Sequence, residues 1–371
     1  MVTPKITLIT GIKRLVMRPD ALQGFRKQLV DPVRLLPQLY GIPRAVSGKR
    51  ACLDRGWEVI YNECEQKAGR SNMIIDFHTH TFPENLAGRA IAKLAASSRA
   101  KNYLDGTVQA LRASMKEAGV DYSVLLPVVT RPGQQEDINR AAIETNAHSQ
   151  ETGLISFGGI HPENGDYREI LRFLSKNGVK GVKIHPVFQR VAIDDIRYLR
   201  LIECAGENDM IVITHAGCDI GFPGEDFSSV RRIERMLDTV KPRKFVLAHM
   251  GGWGCWEEVE ERILGRDVWL DTAFSLLPIE PAPGTVRAPE ENPPLSRDRF
   301  LGMVSRHGAG RILFGTDSPW SGQRQMVAAV QNSGLDAEEQ EAVLGGNAAG
   351  LLGIGGDKDC RKAQSRPIRH K

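Results

Sequence analysis

The stretch Met73-Ile-Ile-Asp-Phe-His-Thr-His80 decides how the rest of the chain is read. It is a short apolar run that ends in two histidines. Residues two apart on a strand point to the same face, so the pair His78 and His80 reads as two imidazoles side by side at a strand end. Working outward, seven further short apolar runs follow. They are Tyr122 to Val128, Ile155 to His161, Gly181 to His185, Met210 to His215, Lys244 to His249, Val268 to Ala273 and Arg311 to Asp317. Between them lie segments of helical period, such as Asp137 to Gln150, Tyr167 to Asn177, Asp194 to Asn208, Ser228 to Val240 and Glu257 to Leu264. Near-continuous apolar runs are the mark of parallel strands buried on both faces, and alternation with helices implies helical crossovers. Eight such units over about 280 residues predict an α/β fold, a single (β/α)8 TIM barrel of parallel strands. An open doubly wound sheet is the alternative, but no Gly-x-Gly-x-x-Gly follows the first strand.

The flanks differ from this rhythmic body. The chain of 371 residues is 41% hydrophobic and 25% charged, an ordinary globular composition that excludes a disordered or collagen-like chain. Its formal charge of +4 is unevenly placed. Residues 1–72 hold 13 basic and 6 acidic side chains, residues 355–371 hold 6 and 2, and residues 73–354 hold 30 and 37. The basic character is terminal and the body is acidic, which argues against a broad nucleic-acid surface. Residues 1–72 read as an N-terminal extension without a clear periodic core, and a start at Met73 would explain them equally well. Residues 73–354 are expected to form the TIM-barrel catalytic domain, and 355–371 a basic tail expected to be disordered. The proline-rich stretch 275–297 falls after the seventh strand, as a loop at the barrel mouth.

Six cysteines, Cys52, Cys64, Cys204, Cys218, Cys255 and Cys360, form no Cys-x-x-Cys pair, so free thiols in a reducing, cytoplasmic setting are expected. No apolar run approaches the roughly 20 residues that a membrane span needs. The expected partner is a small molecule, with no nucleic acid and no membrane.

The nine histidines carry the chemistry. His78, His80, His161, His185, His215 and His249 all sit at or near the C-terminal end of a predicted strand, where a (β/α)8 barrel builds its active site. Neutral imidazole suits zinc and similar ions, and a catalytic zinc keeps three protein ligands and an open position. His215, at the end of strand five, and Asp317, at the end of strand eight, can join His78 and His80 as ligands. The alternative for Asp317 is a helix N-cap before Ser318-Pro319. His249 can act as general acid or base, or bind a second metal. Lys183 is a carboxylated lysine bridging two metals, a positive charge for an anionic substrate, or a structural residue. His161, His185 and Arg131 are candidate substrate contacts.

Taken together, Ile75-Asp-Phe-His-Thr-His80, Gly181-Val-Lys-Ile-His-Pro186, Thr214-His-Ala-Gly217, Leu247-Ala-His-Met-Gly-Gly252, Ile312-Leu-Phe-Gly-Thr-Asp-Ser-Pro319 and Gly346-Asn-Ala-Ala-Gly-Leu-Leu352 resemble the amidohydrolase superfamily. The likeness is greatest to the amidohydrolase-related group that includes aminocarboxymuconate-semialdehyde decarboxylase. The resemblance implies a distorted barrel holding one divalent metal, zinc with manganese or iron as alternatives. His78, His80, His215 and Asp317 would be ligands and His249 catalytic, with a second metal only if Lys183 is carboxylated. By analogy a homodimer is usual. The expected activity is hydrolysis of an amide, ester or lactone by metal-activated water, with Asp317 taking the proton; the alternative is a nonoxidative decarboxylase of the same family.

Overall fold

A computed structural model describes residues 7–10, 13–16, 73–286, 291 and 293–354. The chain divides into two units, Met1–Gly69 and Arg70–Lys371. Within the first, Thr7–Thr10 pairs antiparallel with Lys13–Val16. The remainder of the expected extension and the expected basic tail lie outside the described residues.

The second unit carries eight parallel strands: β1 (Ile75–Thr79), β2 (Tyr122–Leu125), β3 (Leu154–Ser156, resuming at Gly158–Gly159), β4 (Gly181–Ile184), β5 (Ile211–Thr214), β6 (Phe245–Leu247), β7 (Trp269–Asp271) and β8 (Ile312–Leu313). They pair in chain order as an arc of three and an arc of six, which meet within β3. The ends close on each other: Phe77 N donates to Phe314 O at 2.8 Å, Asp317 N to His78 O at 2.8 Å and His80 N to Ser318 O at 2.6 Å. The barrel is therefore complete through the β8–β1 seam.

The expected helices form the outer layer, among them α1 (Glu84–Ser98), α2 (Val108–Ala118), α3 (Gln135–Ala147), α4 (Tyr167–Lys176), α5 (Ile196–Glu207), α6 (Val230–Val240), α7 (Trp256–Arg262), α8 (Arg297–His307) and α9 (Gln323–Gln331). Most bury apolar side chains on one face; α4, for example, buries Ile170, Leu171 and Leu174 at the i, i+1, i+4 spacing of one helix face. No helix among the described residues is long and apolar enough to cross a membrane. The stretch after β7 lies against the end of α1, with Lys101 N donating to Glu280 O at 2.8 Å and Ala282 N to Arg99 O at 3.0 Å.

Residues of alternate strand positions, Ile75, Phe77, Val124, Ile155, Phe157, Ile211, Ile213, Val246 and Leu313, join one buried cluster with Ala348 and Leu352 of the last helix. Strict alternation from Ile75 and Phe77 would turn His78 away from this interior. A register shift between Asp76 and Thr79 prevents that, since three residues of β1 advance against two of β2. Such a bulge re-aims side chains. Phe77 enters the cluster while the next residue, His78, also faces the barrel mouth. The displaced Asp76 points the other way and latches the seam, accepting from Thr316 Oγ1 at 2.6 Å, Thr316 N at 3.0 Å and Gln323 Nε2 at 2.8 Å. Burial pushes its carboxyl up to about 7 against these hydrogen bonds.

Phe157 stands edge-on to Phe77, ring centroids 5.7 Å apart, and both are fully buried. Truncation of Phe157 to alanine is expected to cost about 3–5 kcal/mol in urea-induced unfolding. Val286→Ala, at a position 84% exposed, should stay within about 0.5 kcal/mol of the parent.

Candidate metal centre

Strand ends and the turns after them deliver the polar groups. β1 supplies His78 and the residue after it His80, β4 Lys183, the residue after β5 His215, the turn after β6 His249, β7 Asp271, and the turn after β8 Asp317. All but His80 and Asp317 are buried. The approach of β8 to β1 requires Gly315, because a Cβ there would come within 2.9 Å of His78 Cβ.

Donor atoms of His78, His80 and Asp317 converge. His78 Nε2 and His80 Nε2 stand 3.2 Å apart, and Asp317 Oδ1 lies 3.5 Å from the first and 3.1 Å from the second. The far ring nitrogens decide which atoms are free. His78 Nδ1 donates to Asp271 Oδ2 at 2.8 Å, and His80 Nδ1 to the Leu126 carbonyl at 2.8 Å. When both rings are neutral, their Nε2 atoms therefore present lone pairs to each other and to a carboxylate. These separations are the edges between neighbouring ligands of an ion that bonds nitrogen and oxygen at about 2.0–2.2 Å. A carboxylate or carbonyl behind each histidine is the usual support of a metal-bound imidazole. The residues fit a divalent cation.

His215 joins a second group. Its ring stacks on His185 at 4.4 Å between centroids, and these two with Asp219 place one ligand atom each within 4.8 Å of one another. His249 links the two groups, its ring centroid 5.3 Å from that of His78 and 4.9 Å from that of His215. The Ala273 carbonyl accepts from His249 Nδ1 at 2.9 Å, and the Cys218 carbonyl from His215 Nε2 at 3.1 Å. His249 Nε2 and His215 Nδ1 thus meet at 3.1 Å, again as two lone pairs when both rings are neutral. Burial pushes both rings down to about 4, so neutral they are at ordinary pH. His78 and His185 are driven well below the usual imidazole value, again by burial first. Burial opposes ionisation of Asp317, but the surrounding imidazoles of His78, His80 and His249 hold its carboxyl below the usual range. Lys183, with Nζ 3.4 Å from His78 Nε2, is lowered to about 8 by burial, against the carboxylates of Asp271 and Asp317.

The backbone is bent to make this arrangement. His249 (φ 59°), Met250 (φ 53°), Phe274 (φ 54°) and Asp317 (φ 60°) all adopt left-handed conformations. Such residues cost of order 1–3 kcal/mol each and persist where the surroundings over-determine them.

A cavity of about 520 Å³ opens above these groups, bordered by His78, His80, Lys183, His185, His215, His249 and Asp317. The other two proposed substrate contacts lie elsewhere. His161 does not border the cavity and accepts from Glu163 N at 3.2 Å, while Arg131 is exposed at the start of a short turn that leads into α3. Sequence reasoning passed over Asp271, Asp219 and the aromatic walls. Asp271 had a signal, an acidic residue ending the apolar run Val268-Trp-Leu-Asp271 at the same topological position as the histidines.

The family described as Amidohydrolase matches residues 75–354. No curated protein matches the chain. Among solved structures, 5-carboxyvanillate decarboxylase from Sphingomonas paucimobilis is 16% identical with a TM-score of 0.53, covering 76% of this chain and 100% of its own. A dihydroxybenzoic acid decarboxylase from Polaromonas, solved with manganese and the inhibitor 2-nitroresorcinol, is 16% identical with a TM-score of 0.55, covering 76% and 97%. 2,6-Dihydroxybenzoate decarboxylase from Rhizobium is 13% identical with a TM-score of 0.56, covering 76% and 99%.

Asp271 accepts from His78 Nδ1 through one oxygen, and from His249 N (2.9 Å) and Ala273 N (3.0 Å) through the other. Asp271→Asn is expected to weaken divalent-metal affinity about 10- to 100-fold in a chelator-competition titration, with the far-ultraviolet dichroism unchanged. His78→Ala should abolish stoichiometric binding.

Proposed function

The chain belongs to the amidohydrolase family, and we propose that within it this protein is a metal-dependent nonoxidative decarboxylase of an aromatic or similarly unsaturated carboxylic acid. The observation that carries this reading is the aromatic wall of the cavity above the imidazole floor. Phe188 and Phe222 meet edge-to-face at 5.3 Å, Trp253 and Phe274 tilt together at 6.0 Å, and Phe82 and Trp320 complete the lining. Apolar walls over a few convergent polar groups suit a flat, singly charged ring. Support also comes from the similarly folded decarboxylases named above, whose substrates are hydroxybenzoates and a carboxyvanillate.

His78, His80 and Asp317 would hold the metal. When bound, it polarises a substrate oxygen and stabilises negative charge developing on the substrate. Manganese and zinc both suit a donor set of two imidazoles and a carboxylate with no sulfur. Lys183 adds a cation to the floor that favours an anionic substrate. Loss of carbon dioxide needs one proton at the ring carbon that carries the carboxylate. The new C–H bond forms there, the C–C bond breaks, its electron pair restores the ring, and carbon dioxide leaves. Asp317 and His249 Nε2 border the cavity, carry no proton at rest, and are the groups to take one up from solvent as the substrate binds and pass it to the ring carbon; the Ala273 carbonyl holds His249 Nδ1 and so leaves Nε2 for the task.

Incubation of the manganese- or zinc-loaded protein with a panel of hydroxybenzoates is expected to release carbon dioxide and the decarboxylated phenol in equal amounts. Turnover of a lactone, ester or amide panel without carbon dioxide would overturn this reading in favour of hydrolysis. Chelation should abolish activity, and the re-added ion should restore it. His249→Asn should lower kcat by about 10²- to 10⁴-fold while leaving metal content at one ion per chain.

A further inference from the structure

Cys218 and Cys255 are 37 residues apart in sequence and bracket β6. The fold brings their sulfurs to 3.4 Å, one thiol donating to the other. Cys218 is exposed and Cys255 half-buried, so a small oxidant in solvent reaches the pair through Cys218. The backbones beneath them are fixed to each other: Cys218 N donates to Trp253 O and Trp253 N to Ala216 O, both at 2.9 Å. Gly217 permits this close approach, because a Cβ there would lie 2.3 Å from Trp253 N, and its φ of +88° suits glycine. A disulfide needs sulfurs about 2.05 Å apart with the Cβ atoms at roughly 3.5–4.5 Å. Two thiols already in contact, on loops held in register, need only small side-chain rotations to reach it.

We propose that Cys218 and Cys255 are a reversible disulfide-forming pair that staples the loops after β5 and β6 at the rim of the cavity, responding to low-molecular-weight disulfides. In the first step the Cys218 thiolate attacks a sulfur of the oxidant RSSR; a Cys218–SR bond forms and RS⁻ leaves. In the second the Cys255 thiolate attacks the Cys218 sulfur; the Cys218–Cys255 bond forms and the second RS⁻ leaves. Both thiolates take up the protons released by the cysteines. Two electrons pass from the cysteines to RSSR, giving two RSH.

The staple acts on functional parts. Cys218 borders the cavity together with Asp219, Phe222 and Trp253, and its carbonyl holds His215 Nε2 at 3.1 Å. Closing the bridge fastens the loop that bears these groups to the loop that follows His249. Cys204 supplies an internal contrast, being buried within α5.

The test uses the full chain, metal-loaded, with excess oxidised glutathione. Peptide mapping of the product is expected to yield a linked Cys218–Cys255 peptide that dithiothreitol reverses, with Cys204 unmodified. Cys255→Ser should instead retain a glutathione adduct on Cys218. The thermal unfolding midpoint should rise in the oxidised parent, fall back on reduction, and stay level in Cys255→Ser. Cys218 and Cys255 unreacted, both carrying glutathione, or linked to other cysteines would overturn the proposal, as would an unchanged midpoint in the mapped disulfide form. None of these readouts needs a substrate, so the result is independent of the decarboxylase reading.

Discussion

The seam between β1 and β8 is the constraint on which the site depends. Residues more than 230 apart in sequence are brought together there, with Asp317 N on His78 O, His80 N on Ser318 O and Thr316 on the Asp76 carboxylate. One set of hydrogen bonds closes the barrel and also sets Asp317 against His78 and His80. The bulge in β1 serves the same end. It sends Phe77 into the apolar interior and His78 to the mouth, while Asp76 turns outward to hold the seam. A single extra residue in β1 thus divides the work of three neighbours.

The second organising element is charge. The mouth gathers imidazoles whose remaining lone pairs face one another, since a carboxylate or carbonyl takes the proton-bearing nitrogen of each. Burial disfavours protonating His78, His185, His215 and His249, and lone pairs held 3.1–3.2 Å apart repel. A divalent cation relieves that repulsion, so the protein's own packing creates the demand for an ion. Asp271 stands behind this arrangement. One of its oxygens fixes the tautomer of His78, and the other ties down the backbone that turns His249 into the cavity in a left-handed conformation.

Much of this was legible beforehand, and the reasons are local. Eight apolar runs alternating with helical periods announced the barrel, because buried parallel strands and amphipathic helices leave distinct hydrophobic patterns. Histidines ending those runs announced a mouth rich in ligands. Asp271 was missed since an acidic residue at the end of a strand reads first as a turn. The aromatic walls were missed because Phe188, Phe222, Trp253 and Phe274 come from the segments after four different strands and share no spacing. The grouping of His215 with His185, Asp219 and His249 likewise depends on ring orientations that no spacing encodes.

By itself the sequence determined the order of strands and helices, the closed parallel topology and the set of residues that arrive at one end, since hydrophobic periodicity and the right-handed crossover leave little other choice. Only the tertiary structure decided that His78 faces inward through a bulge rather than by alternation, that Cys218 touches Cys255, and which nitrogen of each imidazole is free. Those features turn on hydrogen bonds and contacts between residues far apart in the chain, whose geometry exists only once the barrel has closed.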